Sequence, residues 1–92
     1  MAVAVLIPTV LRKHTAGKDQ VAASGSNIRE VLRDLEGQYS GFTQNLYADD
    51  GDLKPFINIY VNEEDIRFLQ DLDTPVQSND TVTILPAIAA AS

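Results

Sequence analysis

The side chains that could carry out covalent chemistry are few in this 92-residue sequence. Cysteine is absent, so the chain offers neither a thiolate nucleophile nor a disulfide framework. The one histidine, His14, lies in the polar stretch KHTAGKD, which is typical of a turn. A general base needs a partner that orients it, and the sequence suggests none, so we interpret His14 as a solvated loop residue.

Acidic residues form two clusters. The stretch ADDGD at 48–52 is similar to the start of a calcium loop, but that loop also requires a distal bidentate glutamate, which is missing here. We therefore predict a solvated turn and no metal site. Glu63, Glu64 and Asp65 form the second cluster, which is either a solvated turn or a surface that steers a basic partner.

The overall charge narrows the choice of partner. Seven basic residues against thirteen acidic ones give a formal net charge of -6. Nucleic-acid binders present patches of lysine and arginine, and the basic residues here are scattered. The sequence therefore argues against a nucleic-acid partner and favours a protein partner with a basic docking face.

The end of the chain, TVTILPAIAAAS, follows a strand-like run with a proline and six mostly small residues. Chain ends fray unless something holds them, so such a segment is either inert or suited to enter a narrow space. We divide the chain into a domain at 1–86 and a flexible C-terminal tail at 87–92.

The start of the chain, MAVAVLIPTV, is apolar but lacks a basic leading region and meets Pro8 early. It is far too short to span a bilayer, so we interpret it as a strand and expect a cytoplasmic protein that contacts no membrane. Ninety-two residues fit one domain with a single core.

Local patterns predict the elements of that domain. The stretch AVAVLI at 2–7 is apolar on both alternating faces, which is typical of a strand that is covered on both sides or central in a sheet. QVAAS at 20–24 can return as a second strand. Helical spacing of apolar residues, with Asn27 and Glu30 as a capping box, predicts a helix at 27–36 that Gly37 ends.

The second half of the chain alternates loops and strands. The polar stretch after the helix contains isolated aromatic residues and predicts a loop or a short helical turn. Residues 57–61 alternate as a half-exposed strand, and DIRFL offers a short segment in which Ile66 and Phe68 share a face. Residues 81–85 form the last strand before Pro86.

This order of elements places one helix against one face of a four- or five-stranded sheet, an α+β two-layer domain. A parallel central pair of residues 2–7 and 81–85 explains why the first strand is apolar on both faces. The arrangement is a β-grasp, as in ubiquitin, with a mixed sheet. A chain that ends on a central strand projects its terminal carboxylate away from the sheet.

Three segments carry a resemblance to a known family: VLIPTVLRKHT near the start, VNEEDIRFL in the middle and DTVTILPAIA at the end. They resemble the ubiquitin-like sulfur carriers of the molybdopterin and thiamine type, and most of all the carrier of the phosphoserine-dependent route to cysteine. The resemblance runs over nearly the whole chain and implies a protein cosubstrate without an active site of its own.

The resemblance also implies partners and chemistry. In that family a ubiquitin-activating-like adenylyltransferase uses ATP to adenylate the C-terminal glycine, which then becomes a thiocarboxylate; the carrier itself binds no cofactor. The corresponding acceptor is a pyridoxal-phosphate-dependent cysteine synthase, and the carrier is expected to be a monomer. Routes to molybdopterin, thiamine and thiolated tRNA use the same scaffold and remain alternatives.

The site residues follow from the same resemblance. The sulfur-carrying tail corresponds to Ala89, Ala90, Ala91 and Ser92, where the family ends in Ala-Gly-Gly. Because of this ending, a β-grasp interaction module that docks but transfers nothing remains a second possibility.

Partner-facing residues are expected next to the tail and among the aromatics. Leu85 occupies a strand position that is often apolar and partner-facing in the family. We assign partner binding to Leu85, Pro86, Phe68 and Phe56, with core packing as the alternative for the aromatic residues.

Overall fold

Alternation of apolar and polar side chains dictates the strands of this protein, because successive side chains of a strand point to opposite faces. The computed structural model describes residues 2–47, 53–54 and 57–86. Within these residues the strands and the α-helix are β1 (Ala2–Leu6), β2 (Gln20–Ser24), α1 (Ile28–Gln38), β3 (Ile57–Val61), β4 (Glu64–Asp65) and β5 (Thr81–Pro86). Short 3-10 helices occupy Thr9–Thr15, Thr43–Asn45, Ile66–Phe68 and Asp71–Asp73.

The strands form one mixed sheet in the order β2-β1-β5-β3-β4. β1 and β5 run parallel at its centre, with Val5 opposite Val82. Every other neighbouring pair is antiparallel, including the β1–β2 hairpin, in which Val5 faces Val21. The predicted parallel central pair and the α+β, β-grasp architecture are therefore confirmed.

The core lies between α1 and one face of the sheet. It contains branched side chains from the four longer strands and from the helix. The strands contribute Val3, Val5, Val21, Ile57, Ile59, Val61, Val82 and Ile84, and α1 contributes Ile28, Val31, Leu32 and Leu35. Full burial of one such side chain stabilises the folded state by about 1.5 to 3 kcal/mol. Burial of these side chains is therefore the main source of stability.

The sequence predicted that β1 is either covered on both faces or central in the sheet, and the structure shows the second. Val3 and Val5 are buried against the helix, while Ala4 and Leu6 on the opposite face are half-buried and Ala2 is exposed. The strand is therefore central between β2 and β5, and no second layer covers its other face in the described part of the chain.

The start of α1 matches the predicted cap with one difference. Asn27 has an extended backbone, and its side chain accepts a hydrogen bond from the Glu30 amide at 2.9 Å. The Glu30 carboxylate reaches past the cap and accepts from the amide and the hydroxyl of Ser26, both at 2.8 Å. The hydrogen bond from the Ser26 amide is the main reason that the pKa of Glu30 is lowered.

The prediction that Gly37 ends the helix is wrong. α1 continues through Gln38, and the Tyr39 amide still donates to the Leu35 carbonyl. The left-handed backbone occurs four residues later, at Gly41, where φ is 91°. Burial of Leu35 keeps this last turn helical despite the low helix propensity of glycine.

The loop after α1 is anchored by two apolar side chains and one carboxylate. Phe42 and Leu46 are fully buried and flank the short 3-10 helix Thr43–Asn45, as the isolated aromatic residues predicted. Glu36 accepts hydrogen bonds from the Gly41 amide at 2.8 Å and from the amide and hydroxyl of Thr43 at 2.9 and 2.7 Å.

The outer edge of β2 is bonded to side chains of the helix. Gln38 donates from Nε2 to the Ala22 carbonyl at 3.0 Å, and the Ser24 amide donates to Asp34 Oδ2 at 2.9 Å. Gln38 and Asp34 are themselves hydrogen-bonded at 2.7 Å. Two outward-facing backbone groups of an edge strand are therefore already satisfied within the chain.

The polar turn predicted at 13–19 occurs at Ala16 and Gly17, and its first three residues belong to the preceding 3-10 helix Thr9–Thr15. One local prediction outside the core strands is wrong. Ile66 and Phe68 do not share a face, because they lie in a 3-10 helix in which Ile66 is buried and Phe68 is 88% exposed. Side chains two residues apart share a face in a strand but not in a 3-10 helix, which has three residues per turn.

We predict opposite effects of the same substitution at two glycines. An added Cβ at Gly25 would lie 2.7 Å from the Val31 amide nitrogen, whereas one at Gly37 meets no atom within 4 Å. Gly25→Ala should lower the free energy of unfolding by about 1 to 3 kcal/mol, since the helix backbone must shift. Gly37→Ala should raise it by about 0.5 to 1 kcal/mol. Equal effects in denaturant titrations would contradict this packing.

We predict that the loop after α1 responds to acid through Glu36. Its hydrogen bonds, first that from the Gly41 amide, lower its pKa below the ordinary 4.5. Their stabilising effect is present above pH 4.5 and is lost as the pH falls through the lower folded-state pKa. The amide resonances of Gly41 and Thr43 should titrate below pH 4.5 and not in Glu36→Gln. A midpoint at or above 4.5 would show that these bonds are not formed in solution.

Candidate functional site

The sheet has one covered face and one face that presents side chains to solvent. Residues that alternate with the core positions share this second face, which we call the open face. On the three central strands its members are exposed or half-buried: Ala2, Ala4 and Leu6 on β1, Thr81, Thr83 and Leu85 on β5, and Asn58 and Tyr60 on β3. A face of this kind suits contact with another protein.

Among the described residues, the end of β5 pairs with a neighbouring strand on one side only. β5 pairs with β1 as far as Thr83, opposite Leu6, while its pairing with β3 continues to Pro86, opposite Ile57. The last three residues of β5 therefore extend past β1 and rest on β3. The chain thus leaves the sheet at its centre, next to the open face.

Leu85 lies on the open face between two grooves. It is 47% exposed, although its neighbour Ile84 is fully buried. The larger groove, which we call the β1–β5 groove, has a volume of about 620 Å³ and is lined by Leu6, Val10 and Leu85 among others. The smaller, the Tyr60 groove, has a volume of about 230 Å³ and is lined by Tyr60, Glu63, Thr83 and Leu85. An exposed leucine between two grooves is a suitable anchor for a partner.

The remaining predicted partner residues fall in different places. Phe68 is the most exposed large apolar side chain among the described residues, at 88%. Pro86 is the last residue of β5 and pairs with Ile57. Phe56 lies outside the described residues, as does the predicted tail at 87–92, so the assignments to Ala89, Ala90, Ala91 and Ser92 stay predictions.

The Phe68 side chain is exposed, but the backbone on either side of it is fixed by burial and hydrogen bonds. The preceding Ile66 is buried, and the Asp65 carboxylate caps the 3-10 helix by accepting from the Arg67 amide at 2.9 Å. The Leu69 amide donates to the Ile66 carbonyl at 2.9 Å. Fixing the backbone that carries an exposed aromatic side chain lowers the entropic cost of ordering that segment in an interface.

Charged side chains, most of them acidic, lie beside the two grooves of the open face. Glu63 and Glu64 are exposed in and beside the tight β3–β4 turn, and Glu63 lines the Tyr60 groove. Arg12 and Asp19 both line the β1–β5 groove, where Arg12 Nε donates to the Ile7 carbonyl at 3.1 Å. The other acidic cluster, at 48–52, lies outside the described residues.

The chemistry available on the described surface is recognition. Among the described residues, no three histidine, aspartate or glutamate side chains are grouped so that they could hold a metal ion. His14 lies half-buried in the 3-10 helix Thr9–Thr15. No helix in the described ranges has both the length and the apolar character needed to cross a bilayer.

Sequence reasoning missed several residues around Leu85. Val10 is 56% exposed and lines the β1–β5 groove, because the 3-10 helix after β1 brings it beside the end of β5. Leu6 was assigned only to a strand, although it lines the same groove. Strand alternation could have identified Leu6, since the predicted parallel pair places it on the face of Leu85.

A β-grasp fold whose last strand is central, with an exposed anchor next to the departing chain, defines a ubiquitin-like protein. Residues 5–89 match the ThiS family, so the chain belongs to that family. It is also 50% identical over 91 residues to a Mycobacterium tuberculosis protein named sulfur carrier protein CysO; the match covers 97% of this chain and 98% of that protein. The resemblance predicted from the three sequence segments is confirmed.

Solved structures agree with this assignment. The crystal structure of Mycobacterium tuberculosis CysO superimposes with a TM-score of 0.89 at 49% identity and covers 92% of this chain and 98% of that one. The Amycolatopsis orientalis BexX/CysO complex contains a chain with a TM-score of 0.89 at 45% identity, covering 94% of this chain and 96% of that one. These relatives are carriers, which supports the prediction that this chain is not an enzyme.

We predict that adjacent residues of β5 tolerate a charge very differently. Leu85→Asp should change the free energy of unfolding by less than about 1 kcal/mol, because the side chain is half-exposed on the open face. Ile84→Asp should lower it by about 2 to 5 kcal/mol or prevent folding, because it buries a carboxylate in the core. Circular dichroism with chemical denaturation measures both, and unfolding of Leu85→Asp would show that Leu85 belongs to the core.

Proposed function

We propose that this chain is a sulfur carrier whose C-terminus is adenylated and thiocarboxylated by partner enzymes, and that it donates sulfur for cysteine biosynthesis. Membership of the ThiS family and 50% identity to sulfur carrier protein CysO over nearly the whole chain support a carrier role. The destination in cysteine biosynthesis rests on the resemblance to the carrier of the phosphoserine-dependent route.

The observation that carries the proposal is the geometry at the end of β5. The last strand is central in the sheet and extends past β1, so the residues that follow it depart beside Leu85 and its two grooves. A partner that binds the open face is thereby placed next to the departing chain. In this proposal residues 1–86 are the domain that the partner holds, and 87–92 are a flexible tail that enters its active site.

The proposed chemistry takes place at the end of the chain. A carboxylate oxygen attacks the α-phosphorus of ATP, pyrophosphate leaves, and the acyl-adenylate is a good electrophile. A sulfide nucleophile then forms a C–S bond at the carbonyl carbon while the C–O bond to AMP breaks. The thiocarboxylate is anionic at neutral pH and nucleophilic, as a thiolate is. The tail residues Ala89, Ala90, Ala91 and Ser92 would carry the reacting group.

Two classes of partner follow from this chemistry. A ubiquitin-activating-like adenylyltransferase would use the ATP, and a pyridoxal-phosphate-dependent cysteine synthase would accept the sulfur, with Leu85, Pro86, Phe68 and Phe56 as the docking residues. The chain's own surplus of acidic residues favours basic docking surfaces on both. A CysO from Amycolatopsis orientalis has been crystallised in complex with BexX, which supports a function exercised through complexes. We propose that the carrier is a cytoplasmic monomer.

One sequence feature favours a second function. Alanine replaces both glycines of the family ending, at Ala90 and Ala91, and Ser92 follows. Each Cβ narrows the backbone conformations available and enlarges the segment that must enter a narrow channel. A misplacement of the reacting group by about 1 Å can lower the rate by about a hundredfold. The alternative is therefore an interaction module that docks on the same partners and transfers nothing.

We predict that intact-mass spectrometry separates these functions. The protein is incubated with a purified adenylyltransferase of the proposed class, ATP and sodium sulfide. The carrier function predicts that sulfur replaces one terminal oxygen. The matched variant, which we call the glycine-ended variant, carries Ala90→Gly and Ala91→Gly with Ser92 deleted. It should react at least as fast, because glycine imposes less steric restriction on the tail.

The controls assign each outcome to one cause. Leu85→Asp in the glycine-ended variant should lose most of the reaction while remaining folded, because docking requires the exposed leucine. Sulfur in the glycine-ended variant alone would identify the chain as a non-transferring module on a carrier scaffold. Sulfur in neither protein would contradict the proposed carrier function.

A further inference from the structure

The edge strand β4 is too short to support the whole of β3. It contains only Glu64 and Asp65, and these pair with Val61 and Tyr60. The Ile57 amide at the start of β3 donates instead to the Lys54 carbonyl at 3.0 Å, away from β5. Because the amide and the carbonyl of one residue in a strand point to the same side, the Ile57 carbonyl also points away from β5. Without a partner this carbonyl would be an unpaired group on a sheet edge.

Arg67 bonds the Ile57 carbonyl, which a longer β4 could have paired. Its Nη2 donates to the Ile57 carbonyl at 2.8 Å, and its Nη1 donates to Asn58 Oδ1 at 2.9 Å. The planar guanidinium holds two donors in a fixed fork, so one side chain bonds a backbone carbonyl and a side-chain amide together. The Asp65 carboxylate binds the Arg67 amide and fixes the base of the side chain.

The hydrogen bonds from Arg67 to Ile57 and Asn58 are accepted by the two residues of β3 that pair with the end of β5. Ile57 is opposite Pro86, and Asn58 is opposite Leu85. The backbone amide and carbonyl of Ile57 point away from β5, so those of the next residue, Asn58, point towards β5. Asn58 and Leu85 therefore form a hydrogen-bonded pair. β1 no longer pairs with β5 beyond Thr83. The last residues of β5 therefore depend on β3, and β3 depends at this point on Arg67.

We propose that Arg67 is a positioning residue that fixes the direction in which the chain leaves the sheet. It acts through its hydrogen bonds to Ile57 and Asn58. Its consequence for the reaction rests on the proposed carrier function, since a carboxylate presented to an adenylating site reacts fast only when its approach is well defined. The effect of Arg67 on the end of β5 is independent of that function.

Three variants separate this role from a change of charge. Arg67→Gln removes the fork, and Arg33→Gln removes the same charge from an exposed position on α1, across the sheet from the open face. Arg67→Lys retains the charge but presents a single ammonium group, so it should restore the function in part.

The first measurement is amide hydrogen exchange by NMR, which needs no partner. In Arg67→Gln the amides of Asn58 and Leu85 should exchange about tenfold faster, whereas those of Val5 and Val82 in the central pair should be unchanged. Arg67→Lys should be intermediate, and Arg33→Gln should match the unmodified protein. Unchanged exchange at Leu85 in Arg67→Gln would overturn the proposal.

The second measurement is the rate of thiocarboxylate formation in the glycine-ended variant. With Arg67→Gln the rate at saturating carrier should fall about tenfold, while the carrier concentration at half-maximal rate changes less than about twofold. An unchanged maximal rate, or a change in half-saturation alone, would refute a positioning role in the reaction. If the glycine-ended parent gains no sulfur, the carrier function fails, and the exchange result alone decides whether Arg67 holds the strand end.

Discussion

Parallel pairing between the first and the last strand is the interaction on which the rest of the structure depends. The two strands meet at Val5 and Val82, both fully buried, so the pairing joins the ends of the sequence through the core. It places β5 between β1 and β3 and forces the chain to leave from the centre of the sheet. Parallel pairing also needs a long crossover, which the helix and the loops after it provide. The same constraint thus sets both the architecture and the location of the candidate site.

The elements that the sequence predicted correctly are those whose periodicity repeats several times. The long strands and α1 each bury at least two side chains at regular spacing, and Asn27 marks the start of the helix by a local mechanism. Gly37 failed as a helix end because burial of Leu35 outweighs the propensity of one glycine. Ile66 and Phe68 failed because a single turn of 3-10 helix repeats too few times to reveal its period.

The candidate site was predictable in part. Leu85 and Phe68 were identified as partner-facing residues, and both are exposed, whereas their role stays a proposal. Val10 and Arg67 were missed because each depends on contacts between different elements of the fold. Val10 is brought to its groove by the 3-10 helix after β1, and Arg67 bonds Ile57, ten residues earlier in the chain. No periodicity within either segment encodes such a contact.

The side-chain bonds along the outer edge of β2 limit how this protein can associate. Gln38 and Asp34 occupy the carbonyl of Ala22 and the amide of Ser24, so an incoming strand from another protein could not bond there without displacing them. For the carrier function that we propose, these bonds would direct partners at this edge to side-chain contacts and away from a continuous main-chain ladder. Such contacts would allow the protein to separate quickly from one partner enzyme before it meets the next.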